Sequence, residues 1–116
     1  MDLRSLPIID WEQAITLAGH QKELAEEILA LLVNHLHEDI ARVHQLYQEQ
    51  NYAELLRQVH KLHGALCYCG LPRLKTLIAR LETELKNNIM DSLAILLEQL
   101  DIEVNLLLEH YSCHVT

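Results

Sequence analysis

Apolar residues recur along most of the chain at spacings of three and four, the period of an α-helix with one buried face. No window alternates apolar and polar positions over a useful length, so strands are not expected. Asp10 is placed to cap a short helix carrying Trp11, Ala14, Ile15 and Leu17. A long helix should begin near Gln21 and bury Ala25, Ile28, Leu29, Leu32, Leu36, Ile40, Val43 and Tyr47. Asn51 caps a third, with Tyr52, Leu55, Val59, Leu62, Leu66 and Cys69 turned inward. Pro72 suits the first turn of a fourth, where a missing N–H is harmless. Its stripe is Leu74, Leu77, Ile78, Leu81 and Leu85, and Asn87-Asn88 closes it. The last helix begins near Asp91 and carries Leu93, Leu96, Leu97, Leu100, Val104, Leu107, Leu108 and Tyr111.

An all-α fold follows: four long amphipathic helices with short connections predict an antiparallel four-helix bundle. The short additional N-terminal helix lies across one end. The stripes take three to four positions per two turns, wider than a coiled-coil seam, so the helices share one core. A length of 116 residues suits one domain spanning 1–116, with residues 1–8 as an N-terminal arm.

Charge narrows the function classes. The chain carries 17 Asp+Glu against 9 Lys+Arg, a net charge of −8. Such a surface is unsuited to nucleic acid, which requires a surplus of cations on some face. No apolar stretch is long enough to cross a membrane, and Met1-Asp2-Leu3-Arg4 opens no signal peptide. Three cysteines, Cys67, Cys69 and Cys113, are too few for a disulfide framework and read as reduced thiols. The expectation is a soluble, cytoplasmic, monomeric domain that itself touches neither membrane nor nucleic acid.

The anomaly lies between Arg57 and Gly70. Gly64 stands inside an otherwise good helix, where glycine costs about 1 kcal/mol relative to alanine. At about 100° per residue, His60 points well away from the Val59/Leu62 core stripe, and Gly64 lies next to it one turn on. Ala53, Leu56, Arg57 and Cys67 surround the same patch, with Lys61 beside it. His63 falls nearer the core, at a helix boundary. A neutral imidazole nitrogen is a good nucleophile near pH 7. In-line attack on a phosphoryl group needs the access that a missing side chain gives, and Arg57, Lys61 and His63 could balance the charge of the attached group. The sequence places no nucleotide-binding loop and no carboxylate cluster beside it. His60 therefore reads as a carrier, with catalysis left to a partner.

In His60-Lys61-Leu62-His63-Gly64 and Gly70 the chain resembles the histidine-containing phosphotransfer (HPt) domains of multistep phosphorelays. The usual motif has lysine where His63 stands. The likeness extends through Gly70-Leu71-Pro72-Arg73-Leu74-Lys75 and back to Ile9-Asp10-Trp11, and is similar to the C-terminal domains of BarA/GacS-type hybrid sensor histidine kinases. The resemblance implies that His60 accepts a phosphoryl group from a receiver-domain aspartate and passes it to a response regulator. It implies no cofactor on this chain, Mg²⁺ on the receiver, and no ATP site. Weak docking through Leu56, Ala53 and Cys67 would serve both partners.

Two other readings use the same residues. A helical interaction or dimerisation module would carry His60 incidentally. A metal site would draw on His60, His63 and Cys67 at i, i+3 and i+7, but Cys67-x-Cys69 lacks the paired spacing of structural zinc sites; the tail from His110 to His114 is a weaker hint and reads as a frayed helix end. Gly64 has a rival role as a packing glycine. His20, His35, His37, His44 and His110 read as surface residues, Glu23, Glu26, Glu27, Glu98, Asp101, Glu103 and Glu109 as solvated acids, and Trp11 as core.

Overall fold

A computed structural model describes residues 3–115 of the chain, with the side chains of 114 and 115 outside the description. Every regular element among the described residues is helical. A 3₁₀ turn at Leu3–Ser5 precedes α1 (Trp11–Leu17), α2 (Lys22–Gln48), α3 (Tyr52–Leu66), α4 (Pro72–Lys86) and α5 (Leu93–Val115). The last helix continues through the tail that the sequence gives to a frayed end. At about 1.5 Å per residue, the 27 residues of α2 account for the 40 Å long dimension of the molecule.

Local chemistry sets the helix ends. Asp10 caps α1 by accepting from Gln13 N–H at 3.0 Å, and Asn51 caps α3 by accepting from Glu54 N–H at 3.4 Å. Three helices stop in the same way: a left-handed residue follows the cap, and the next N–H reaches back five residues. The left-handed residues are Gly19, Gln50 and Asn88, with φ of 68°, 56° and 57°. The closing bonds run from His20 to Ile15, Asn51 to Leu46 and Ile89 to Glu84, at 2.8, 3.0 and 2.9 Å.

Helix α3 lies between α2 and α4, and α5 closes the bundle against α4 and α2. Leucine dominates the interior: Leu29, Leu36, Leu55, Leu77, Leu93 and Leu100 are all fully buried, each stabilising by about 1.5–3 kcal/mol relative to exposure. The expected stripes face this core. At the end of α2 the buried position is Leu46, with Tyr47 half-buried beside it. The N-terminal arm is part of the core as well, since Leu3 is buried and Ile8, Ile9 and Trp11 pack against it. Ala14 of α1 and Ala18 at its C-terminal cap pack on Ala25 of α2, where small side chains let the short helix approach closely.

Polar contacts correct part of the surface reading. Glu103 is buried and its carboxylate accepts from Arg73 at 2.8 Å. Half-buried His44 and Asp101 pair at 2.7 Å, joining α2 to α5. Both pairings arise because the long helices turn these positions toward a neighbouring helix rather than solvent. No described helix is long and apolar enough to cross a membrane.

Candidate functional site

His60 stands near the middle of α3 with 71% of its side chain exposed. The helix is pinned on its other face by Leu55, Val59, Leu62 and Leu66, all buried, so the imidazole direction follows from the core packing. Gly64 follows one turn later on the same face. A Cβ built there meets nothing within 4 Å, which excludes a role in packing helices together. Gly70 is the opposite case. Its φ is +66°, and a Cβ would fall 2.6 Å from Asp10 O and 2.7 Å from Ala14 Cβ. Its carbonyl accepts from Asp10 N–H at 2.8 Å. Gly64 leaves space outside the protein, whereas Gly70 lets α1 dock on the turn after α3.

The sequence reading places no carboxylate at this site, and the structure supplies one. Glu82 of α4 lies 22 positions from His60 and hydrogen-bonds to its Nδ1. Its other oxygen lies 2.9 Å from Nδ1 of His63, and Lys86 Nζ lies 3.3 Å from the His60-bound oxygen. Only 7% of the Glu82 side chain is exposed. Burial works to raise the pKa of its carboxyl, but hydrogen bonds from His60, Lys86 and His63, with the Lys86 charge, outweigh it and hold the value below the usual 4.5. An ionised carboxylate only accepts, so each neutral imidazole carries its proton on Nδ1. The Nε2 lone pair of His60 is thereby left on the solvent side, at the open surface made by Gly64. Glu82 was detectable as an acid four residues after Ile78 and three before Leu85, on the edge of a buried stripe where a carboxylate needs partners.

The flanks of His60 differ. Among the residues of α3 and its end that surround His60, Ala53 is exposed, while Leu56 and Cys67 are half-buried, with Leu56 packed on the core. Exposed Arg57 is tied to Glu54, so part of its charge is engaged. Toward α2 an open apolar groove of about 550 Å³ runs between Ile28, Leu31 and Leu32 on one side and Ala65 and Tyr68 on the other, with Lys61 on its lining. Leu31 and Tyr68 are each 62% exposed. Lys61 makes no ion pair among the described residues. Sequence reasoning put the docking contacts at Leu56, Ala53 and Cys67; the structure adds an apolar groove toward α2.

Cys69 is buried and its thiol donates to Ala65 O at 3.2 Å. Burial, with Cys67 nearby, pushes its pKa up to about 11, so it is an inert packing thiol. No group of three or more His, Cys, Asp or Glu residues is arranged to hold a metal among the described residues.

Comparison with known proteins agrees with this geometry. The family model of the Hpt domain matches residues 27–110. The sensor protein GacS of Pseudomonas syringae pv. syringae is 36% identical over 81 residues, covering 70% of this chain and 9% of that protein. The signal transduction histidine-protein kinase BarA of Escherichia coli is 33% identical over 79 residues, 68% of this chain and 9% of that protein. The chain thus spans about a tenth of the length of these relatives. The crystal structure of the HPT domain from a Shewanella sensor hybrid histidine kinase superposes with a TM-score of 0.74 and 31% identity, over 96% of this chain and 97% of that one. An antiparallel helical bundle, an exposed imidazole on its third helix and these relatives lead to one assignment: the chain belongs to the Hpt domain family, the histidine phosphotransfer modules of two-component signalling.

Proposed function

We propose that His60 is the phosphoryl acceptor, taking the group from a receiver-domain aspartate and giving it to the receiver of a response regulator. The observation that carries this is the His60–Glu82 hydrogen bond beneath an exposed ring. In the forward step the Nε2 lone pair attacks phosphorus and the P–O bond to the aspartyl carboxylate breaks, its electron pair returning to that carboxylate. The proton on Nδ1 stays in place throughout, held by Glu82. In the reverse step the N–P bond breaks and the ring leaves as neutral imidazole, a far better leaving group than an imidazolate. Glu82 is thus a positioning residue that selects Nε2 and keeps the leaving group neutral.

The partner surface is read as the α2–α3 groove together with the Gly64 opening, and Ala53, Leu56 and Cys67 form its other border. Lys61, Lys86 and Arg57 bring cations around His60 on a chain of net charge −8. That favours an acidic receiver pocket, which brings its own Mg²⁺. The domain acts as a monomeric carrier without a cofactor, on the cytoplasmic side.

The test is transfer of labelled phosphoryl from a phosphorylated receiver to the native chain and to His60→Gln. Acid-labile, base-stable label on the native chain that disappears in the variant is the expected result. Label retained by a folded His60→Gln would move the acceptor elsewhere. No label on the native chain from several receivers would leave a helical interaction module as the better reading.

A further inference from the structure

Helix α5 is apolar on more than its core face. Leu93, Leu100 and Leu107 are buried, yet Ile95 and Ile102 stand 59% and 58% exposed on the outward side. Half-buried Leu106 follows Ile102 by one turn. Spacings of seven and four put the three side chains in one stripe, about 16 Å long. A helix that is apolar on two sides is ordinarily covered on both. Its inner side packs on α4 and α2; the outer stripe is left to solvent.

Charge decides what fits over it. Helix α5 contains no Lys or Arg. Exposed Glu98 and Glu109 flank the stripe and make no ion pair among the described residues. The arginines of α4, Arg73 and Arg80, are already engaged by Glu103 and Glu84. A second copy of this chain would set acids against acids along the stripe, an unfavourable juxtaposition. We propose that this face of α5 binds a basic amphipathic helix of a protein partner. The apolar residues of that helix recur at the same spacings, and its lysines or arginines meet Glu98 and Glu109. About three turns match the length of the stripe. Helix α3 packs between α2 and α4, and α5 closes the bundle on the side away from it. A helix seated on α5 therefore leaves His60 uncovered. The contact holds the domain in place rather than exchanging phosphoryl groups, and it stands whichever residue is the acceptor.

The probe is a synthetic peptide of about five helical turns, with leucines at those spacings and lysines on either side. It is titrated into ¹⁵N-labelled chain, beside a peptide of the same composition whose leucines are spread round the helix. The striped peptide should bind about tenfold more tightly. It should shift the amides of Ile95, Ile102 and Leu106 and leave those of Leu31, His60 and Tyr68 unmoved. Ile95→Ser combined with Ile102→Ser should lose about tenfold in affinity. Both side chains are exposed, so an unchanged melting temperature confirms that this variant is folded. Glu98→Lys combined with Glu109→Lys should weaken the lysine peptide and strengthen a glutamate version of it. Equal binding of the two peptides overturns the proposal, as do shifts confined to the α2–α3 groove or a serine variant that binds like the native chain. A native chain that sediments as a dimer and becomes monomeric with Ile102→Ser also overturns it, by making a second copy the occupant.

Discussion

Gly64 lies one helical turn beyond His60, and a methyl group added there would touch no other part of the protein within 4 Å. No packing contact within the domain accounts for the missing side chain, and on the proposed function stability and activity should respond with opposite sign. Gly64→Ala removes the entropic penalty of a mid-helix glycine and should stabilise folding by about 0.5–1 kcal/mol, raising the melting temperature by a few degrees. The same variant should slow phosphotransfer from a receiver, and Gly64→Leu should block it. A Gly64→Leu chain that transfers at the native rate would show that the partner does not approach over this turn.

Glu82 predicts an acid-sensitive bundle. Its carboxyl is held below its ordinary value of 4.5 in the folded chain. The unfolded chain thus binds the proton first, and stability falls as pH drops below that value toward the lowered one. Urea midpoints measured from pH 7 to pH 3 should decline through this window, and Glu82→Gln should flatten that part of the decline. The variant should also lose the tautomer preference of His60, visible as an altered ring ¹⁵N pattern, and transfer phosphoryl more slowly. Unchanged acid sensitivity in Glu82→Gln would place the titrating group elsewhere.

What the sequence disclosed and what it withheld divide by distance along the chain. Asp10, Asn51 and Pro72 act on backbone within three residues, so their roles could be read from local order. The core faces of the helices were legible for the same reason, as was the outward direction of His60. The partners of Glu82, Glu103 and His44 were not, because they lie 22, 30 and 57 positions away. Which helix faces which is decided by packing, and only then does an acid near a stripe edge gain a cation or an imidazole. Gln50 escaped notice because a left-handed glutamine is tolerated only where the following N–H completes a helix end.

Gly70 should behave as the reverse of Gly64. Its left-handed backbone and the 2.6 Å approach to Asp10 O leave no room for a side chain. Gly70→Ala should destabilise by about 1–3 kcal/mol and loosen α1 from the turn after α3. Half-buried Trp11 at the start of α1 reports this directly. A red-shifted, more quenchable tryptophan emission is expected in the variant, with helical content largely retained. Native-like emission would mean that the turn accommodates the methyl group by moving as a unit with α1.

The Arg73–Glu103 pair tests how the bundle tolerates charge in its interior. Their side chains are 13% and 7% exposed and meet at 2.8 Å across α4 and α5. Removing one partner strands the other in a place where water cannot reach it easily. Arg73→Met alone should therefore destabilise by about 3–5 kcal/mol, chiefly through the uncompensated carboxylate. Arg73→Met combined with Glu103→Leu removes both charges and supplies apolar volume, so it should recover most of that loss, as a double-mutant cycle in urea would read. Additive losses in the cycle would show that the two side chains stabilise the bundle separately, through contacts other than their ion pair.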